Sequence, residues 1–168
     1  MVQVVGIVNP RVASVIAVWA TRFQGCDCAG VIQMTAYMRP LVLIIEDDPD
    51  FLEITEMAVS QKGYRTVVAD GGTEGLQSFR THNPDLVILD LGLPDMNGLD
   101  VLWWIRQISH CPVIVLTATD DVGMFIEAMK LEVDDYLTKG VELKDLVERI
   151  ELILDRASSP VRNYIGGR

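Results

Sequence analysis

Short apolar runs alternate with amphipathic segments through the middle of the chain, from residue 39 to residue 156. The runs are rich in aliphatic and β-branched side chains and are short, which is typical of strands. They are Leu41–Ile45, Tyr64–Ala69, Leu86–Leu89, Val113–Leu116 and Asp135–Thr138. Three of these runs are apolar throughout, as expected for strands that are covered on both faces.

The segments between the runs repeat apolar residues at helical spacing. They predict five helices, at Asp50–Lys62, Thr73–Thr81, Leu99–Ser109, Val122–Met129 and Leu143–Leu154. Gly75 weakens the second helix, because glycine costs about 1 kcal/mol against alanine in a helix interior. On the third helix, Trp104 shares the spacing of the apolar residues and is predicted to pack, whereas Trp103 points more outward.

Five β–α units in succession indicate an α/β fold. Strands that alternate with helices form a doubly wound parallel sheet with helices on both faces, and the crossovers are right-handed. In such sheets, ligands bind beyond the carboxyl ends of the strands, near the point where the strand order reverses. The residues that follow each apolar run are therefore the candidates for chemistry.

The overall charge narrows the classes of function. The chain has 168 residues and a net charge of −10, from 24 acidic and 14 basic residues. Phosphate contacts need clustered Lys and Arg, so this charge argues against direct nucleic-acid binding by the chain, and a negative field attracts cations such as Mg²⁺. Three cysteines do not make a disulfide framework and fit a reducing compartment. No apolar stretch reaches the roughly 20 residues that span a bilayer.

Polar residues stand at the predicted strand ends. Glu46-Asp47-Asp48 follows the first strand, Asp90 the third, Thr117 the fourth and Lys139 the fifth. Carboxylates that converge at one edge repel each other and need a cation, raised pKa values or both, and Mg²⁺ prefers such oxygen ligands. An aspartate can attack phosphorus, while a lysine and a hydroxyl can donate to phosphoryl oxygens. The arrangement is that of a phosphoryl-transfer site in outline.

Four segments carry a resemblance to a known family: LVLIIEDDPD, PDLVILDLGLPDMNGLDVL, PVIVLTAT and DDYLTK, which begin at residues 41, 84, 112 and 134. In order and spacing, they resemble the receiver domain of bacterial response regulators, in the CheY-like superfamily of two-component signalling. The resemblance implies a receiver domain over 39–156 with the flavodoxin-like strand order 2-1-3-4-5.

The resemblance also assigns roles near the acidic cluster. Asp90 resembles the phospho-acceptor. Asp47 resembles the direct Mg²⁺ ligand, and Glu46 its acidic partner, acting directly or through water. Gly92 would supply a backbone carbonyl ligand, and Asp48, one position beyond the acidic pair, receives no metal role.

The remaining roles concern the switch. Lys139 resembles the lysine of the phosphorylation site, Thr117 the switch hydroxyl and Tyr136 the aromatic switch residue. The resemblance implies that phosphate on Asp90 draws Thr117 inward, after which Tyr136 turns in and the face formed by helix 4, strand 5 and helix 5 changes shape. The implied partners are a cytoplasmic sensor histidine kinase or phosphotransfer protein, and a downstream protein target or an output domain. Neither nucleic acid nor membrane is an implied partner.

Departures from the family pattern leave alternatives open. Gly140 stands where a proline is usual, so the preceding peptide bond is expected to be trans, and Glu132-Val133 replaces a small pair. These departures allow a pseudo-receiver that docks without being phosphorylated. A metal-dependent phosphohydrolase with Asp90 as nucleophile is the third reading, weakened because Gly92 occupies the place of its general acid. On the first reading, the protein is a signalling receiver and not an enzyme.

The two ends of the chain lie outside the resemblance. Residues 1–38 are apolar and poor in charge, and three readings stay open: a non-native leader, a helical extension that docks through residues 12–23, or a membrane or export signal. Residues 157–168 contain Ser158-Ser159-Pro160 and Gly166-Gly167, which predict a linker or a disordered tail.

Overall fold

The computed structural model describes residues 39–118 and 121–158, in which Pro40–Leu154 form one compact unit. Its five strands pair in parallel in the order β2-β1-β3-β4-β5. They are β1 Leu41–Ile45, β2 Arg65–Ala69, β3 Leu86–Leu89, β4 Val113–Thr117 and β5 Asp135–Thr138. The predicted α/β class and strand order are confirmed, and the sheet order reverses between β1 and β3.

Five helices connect and follow the strands. They are α1 Pro49–Gln61, α2 Gly72–His82, α3 Gly98–Ile108, α4 Val122–Lys130 and α5 Leu143–Ser158. The first four agree with the predicted helices to within one residue at each end. Helix α5 runs four residues beyond Leu154 and includes Ala157, a strong helix former, at which the linker was predicted to begin.

Two apolar layers enclose the sheet. One face carries Leu43 and Ile45 of β1 against residues of α2, α3 and α4, such as Phe79 and Ile105. The other face packs the alternate strand residues against α1 and α5, where Leu146 and others are fully buried. Side chains of a strand alternate between faces, so a strand covered on both sides must be apolar at every position. This packing explains the unbroken apolar runs of the sequence.

Two sequence expectations about helix surfaces change in the structure. Gly75 is a packing requirement, because a Cβ at this position would lie 2.5 Å from Cδ1 of the buried Ile45. The predicted packing of Trp104 is wrong: the residue is 43% exposed, and Trp103 is 42% exposed. The buried stripe of α3 runs through Leu102 and Ile105 instead, which leaves both indole rings on the outer side of the helix.

The interpretations of residues 1–38 and of residues 159–168 concern segments outside the part of the chain that the structure describes. The described residues contain no cis peptide bond, so the bond before Gly140 is trans, as expected. No helix in the described ranges is long and apolar enough to cross a membrane.

Candidate phosphoryl-transfer site

The end of β1 places the first two acidic residues. The backbone N–H of Glu46 donates to the carbonyl of Ala69 at 3.0 Å, which continues the ladder with β2 and fixes Glu46 in a buried position. Asp47 follows and is exposed. Asp48 then caps α1, since its Oδ1 accepts from the N–H groups of Asp50 and Phe51 at 3.0 and 3.2 Å. Asp48 is thus committed to the helix, in keeping with the absence of a metal role in the sequence analysis.

The end of β3 places the central aspartate. The N–H of Asp90 donates to the carbonyl of Ile45 at 2.9 Å, so Asp90 continues the pairing of β3 with β1. Its side chain is buried, and its Oδ1 accepts from the N–H of Gly92 at 3.2 Å. The adjoining turn is tightly packed, because a Cβ on Gly98 would lie 2.5 Å from the backbone of Asp90 and Leu91.

Lys139 joins the two buried carboxylates. Its N–H donates to the carbonyl of Thr117 at 2.9 Å, which holds the residue at the end of β5 beside β4. The ammonium Nζ donates to Oε1 of Glu46 and to Oδ2 of Asp90, both at 2.7 Å. These are short, charge-assisted hydrogen bonds at the end of a side chain that is only 16% exposed. One cation therefore neutralises part of the negative charge at this edge of the sheet.

Burial and pairing shift two pKa values at the site. Burial raises the pKa of Glu46 above the ordinary 4.5, and the hydrogen bond from Lys139 offsets only part of that effect. Burial also acts to lower the pKa of Lys139, but its hydrogen bonds to Asp90 and Glu46 outweigh burial and raise the pKa above 10.5. Lys139 is therefore a cation throughout the physiological pH range.

Three carboxylates are close enough to share a metal ion. One oxygen each from Glu46, Asp47 and Asp90 lie within 4.8 Å of one another. Carboxylate oxygens are the hard donors that Mg²⁺ prefers, and Lys139 alone does not balance three negative charges. The donor set therefore fits a divalent cation of this kind.

The switch candidates lie beside the acidic cluster. Thr117 ends β4 and is buried. In the pairing of β4 with β5, it stands opposite Thr138, and Tyr136 precedes Thr138 by two residues and so faces the same side of the sheet. The Tyr136 ring packs edge-on against Phe125 of α4, with centroids 5.1 Å apart. The structure thus connects Tyr136 to α4, while Glu46, Asp47, Asp90 and Lys139 form the site itself.

The loop after Asp90 is tied to α2 by a residue that the sequence analysis missed. Asp95 accepts from the N–H groups of Gly72 and Thr73, both at 2.8 Å, and so caps α2 from more than 20 residues away. Hydrogen bonds from the hydroxyl and N–H of Thr73, and from the N–H of Gly72, lower the pKa of Asp95 to about 2. No sequence signal indicates this contact, because the partners are distant along the chain.

We expect Asp95→Asn to lower the free energy of unfolding in a pH-dependent way. The folded pKa, about 2, lies below the unfolded value of 3.8. The ionised carboxylate therefore stabilises the fold above pH 3.8, and this contribution is lost as the pH falls towards 2. Urea unfolding between pH 7 and pH 2.5 should show the gap between parent and variant closing at low pH. A difference in the free energy of unfolding that stays constant with pH would contradict this expectation. Glu53→Gln, at an exposed position of α1, serves as the control.

The family of the chain follows from comparison with known proteins. The sequence model of one protein family, the response regulator receiver domain, matches residues 42–151. The chain belongs to this family. Receivers are, in general, Mg²⁺-dependent phospho-accepting domains of two-component systems, and the signalling class predicted from sequence is confirmed.

Two curated relatives place the receiver among response regulators. It is similar to the transcriptional regulatory protein KdpE of Mycobacterium tuberculosis, with 39% identity over 116 residues, covering 69% of this chain and 51% of the relative. It is also similar to the DNA-binding response regulator MtrA of Mycolicibacterium smegmatis, with 37% identity over 119 residues, covering 71% and 52%. The chain thus spans about half the length of the curated relatives it matches.

Solved structures agree with this placement. A CheY-like receiver domain protein from Methanospirillum hungatei superposes with a TM-score of 0.69 at 27% identity, covering 71% of this chain and 96% of the other. A receiver domain protein from Clostridium thermocellum gives a TM-score of 0.65 at 33% identity, covering 70% and 95%. Both chains are matched almost whole, so the fold described here is that of an entire receiver.

Proposed function

We propose that this receiver accepts a phosphoryl group on Asp90 from a histidine kinase or a phosphotransfer protein, in a Mg²⁺-dependent reaction in the cytoplasm. The observation that carries the proposal is the bridge made by Lys139, which holds Glu46 and Asp90 together at 2.7 Å each beside the exposed Asp47. An inert docking domain would gain little from burying two carboxylates and a lysine, since the desolvation of buried charges costs stability even when they are paired.

Each residue of the site has a defined task in this reaction. An oxygen of Asp90 attacks phosphorus, the bond from phosphorus to the donor atom breaks, and the donor leaves with the electron pair, so that an acyl phosphate forms on Asp90. Lys139 and the hydroxyl of Thr117 then donate to phosphoryl oxygens. Glu46, Asp47, Asp90 and the carbonyl of Gly92 would hold Mg²⁺, which when bound neutralises charge on the phosphoryl oxygens. The domain assists only its own modification and is a signalling receiver, not a turnover enzyme.

We further propose that the modification is transmitted through α4, β5 and α5. When Thr117 moves towards the new phosphate, it vacates space at the end of β4, and Tyr136 can turn inward from its packing against Phe125. The outer face of α4 carries exposed apolar side chains, including Val122 at 68% and Met129 at 50%. Such a face suits contact with a protein target or with an output domain.

Intact-mass measurement after incubation with acetyl phosphate tests the proposal. With Mg²⁺, the parent protein should gain one phosphoryl group and release acetate, whereas omission of Mg²⁺ or the change Asp90→Ala should abolish the gain. Asp100→Ala, at an exposed aspartate in the first turn of α3, is the matched control and should be labelled like the parent. Label that persists on Asp90→Ala, or a folded parent that takes none, would refute phosphorylation at this residue.

A further inference from the structure

The ammonium of Lys139 has a third neighbour besides the two carboxylates. Its Nζ lies over the ring of Phe51, 4.9 Å from the ring centroid. This is within the distance at which a cation is attracted to the negative face of an aromatic ring. The ring therefore covers a cation whose other contacts are the hydrogen bonds to Glu46 and Asp90.

The position of Phe51 is fixed from both sides. Its N–H donates to Oδ1 of Asp48, so the cap of α1 sets the place of the ring in the first turn of the helix. The half-buried side chain packs against the apolar layer between the sheet, α1 and α5. Asp48, the third acid of the Glu46–Asp48 run, thereby acts on the site through Phe51, besides its backbone N–H, which donates to Oε1 of Glu46 at 3.1 Å.

We propose that Phe51 is a positioning residue that holds the Lys139 ammonium against the acidic pair and aims it at the phosphoryl group. A carboxylate in this place would add repulsion to the acidic cluster, and an aliphatic side chain would fill the volume without attracting the cation. A ring face attracts the ammonium without accepting one of its three N–H bonds. Two of these bonds go to Glu46 and Asp90, and the third stays available for a phosphoryl oxygen. The kinetic part of the proposal rests on the proposed phosphorylation of Asp90.

The alternative is that Phe51 only packs, and fluorination of its ring separates the two roles. Mono-, di- and trifluorinated phenylalanines at position 51 keep the shape but withdraw negative charge from the ring face. If Phe51 attracts the cation, Lys139 competes less well for the carboxylates, and the Kd for Mg²⁺ should fall stepwise, by about threefold over the series. At saturating Mg²⁺, the initial rate of phosphorylation by acetyl phosphate should fall by a similar factor, because Lys139 is less well placed.

Matched variants keep both readouts interpretable. Phe51→Leu should reproduce the trifluorinated protein, and Phe51→Tyr should behave like the parent, while the same fluorinated residues at the core position Phe79 should change neither quantity. An unchanged Mg²⁺ affinity across the position-51 series would overturn the proposal. A parent that binds Mg²⁺ but takes no phosphoryl group would refute the proposed function alone, since the affinity series would still report on Phe51.

Discussion

Replacing Lys139 with methionine is expected to slow phosphorylation by acetyl phosphate by about 100-fold or more, which intact-mass time courses at saturating Mg²⁺ would measure. The ammonium, 2.7 Å from Oδ2 of Asp90, is the charged donor already in place where negative charge develops. Removal of one such preorganised donor typically costs about 100- to 1,000-fold in rate. Methionine keeps the length and apolar stem of the side chain, so the loss reports on the charge.

The same change should destabilise the fold by an amount that depends on pH and on Mg²⁺. Glu46 already has a raised pKa from burial, so its contribution to stability is present at low pH and is lost as the pH rises through the folded pKa. Without Lys139, that loss should grow, and added Mg²⁺ should bind more tightly and restore stability. Urea unfolding at pH 5 and pH 8, with and without Mg²⁺, would measure this.

A surface lysine provides the control for Lys139→Met. Lys144 has a 79% exposed side chain and pairs with Glu148 at 3.8 Å within α5. Pairs of this kind contribute about 0.5 kcal/mol or less. Lys144→Met should therefore leave the phosphorylation rate and the Mg²⁺ dependence of stability as in the parent. Equal losses in the two variants would contradict the role given to Lys139.

The sheet and the position of the site were predictable because both depend on local patterns. A strand buried on two faces must be apolar at each position, so Leu86–Leu89 could be placed to the residue. Parallel strands bring their carboxyl ends to one edge, so the side chains after β1, β3 and β5 were bound to meet. The contacts of Lys139 with Glu46 and Asp90 follow from this rule together with the family pattern.

The remaining contacts depend on which side of a helix faces the sheet and on which distant loops meet, and the order of residues along the chain does not specify either. Helical spacing grouped Trp104 with buried residues, but a helix against a sheet buries only one stripe, and Trp104 lies beside it. The cap on α2 comes from Asp95, on a different loop. The contact of Phe51 with Lys139 joins the first turn of α1 to the end of β5, which lie far apart along the chain.

Arg106 makes the most extensive set of these unpredicted contacts. From the end of α3, its guanidinium donates to the carbonyl of Cys111 at 2.6 Å and to that of Glu132 at 2.8 Å, and it pairs with Asp134 at 2.9 Å. Glu132 ends the turn after α4 with φ of 56°, a left-handed conformation that favours glycine. Arg106 therefore fastens α3 to the strained turn that connects α4 with β5.

Arg106→Met is expected to lower the free energy of unfolding by about 2 kcal/mol, because it leaves the carbonyls of Cys111 and Glu132 without a charged donor, while the ion pair with the 34% exposed Asp134 side chain contributes less. Urea unfolding would measure the loss, with Arg80→Met on the exposed surface of α2 as the matched control, expected within about 0.5 kcal/mol of the parent. Glu132→Gly should return about 1 kcal/mol in the Arg106→Met background, since glycine adopts the left-handed conformation freely. If Arg106→Met and Arg80→Met have the same free energy of unfolding, Arg106 does not stabilise this turn. If Arg106→Met is destabilising but Glu132→Gly does not raise its free energy of unfolding, the turn stores no strain. Arg106 then acts through its hydrogen bonds alone.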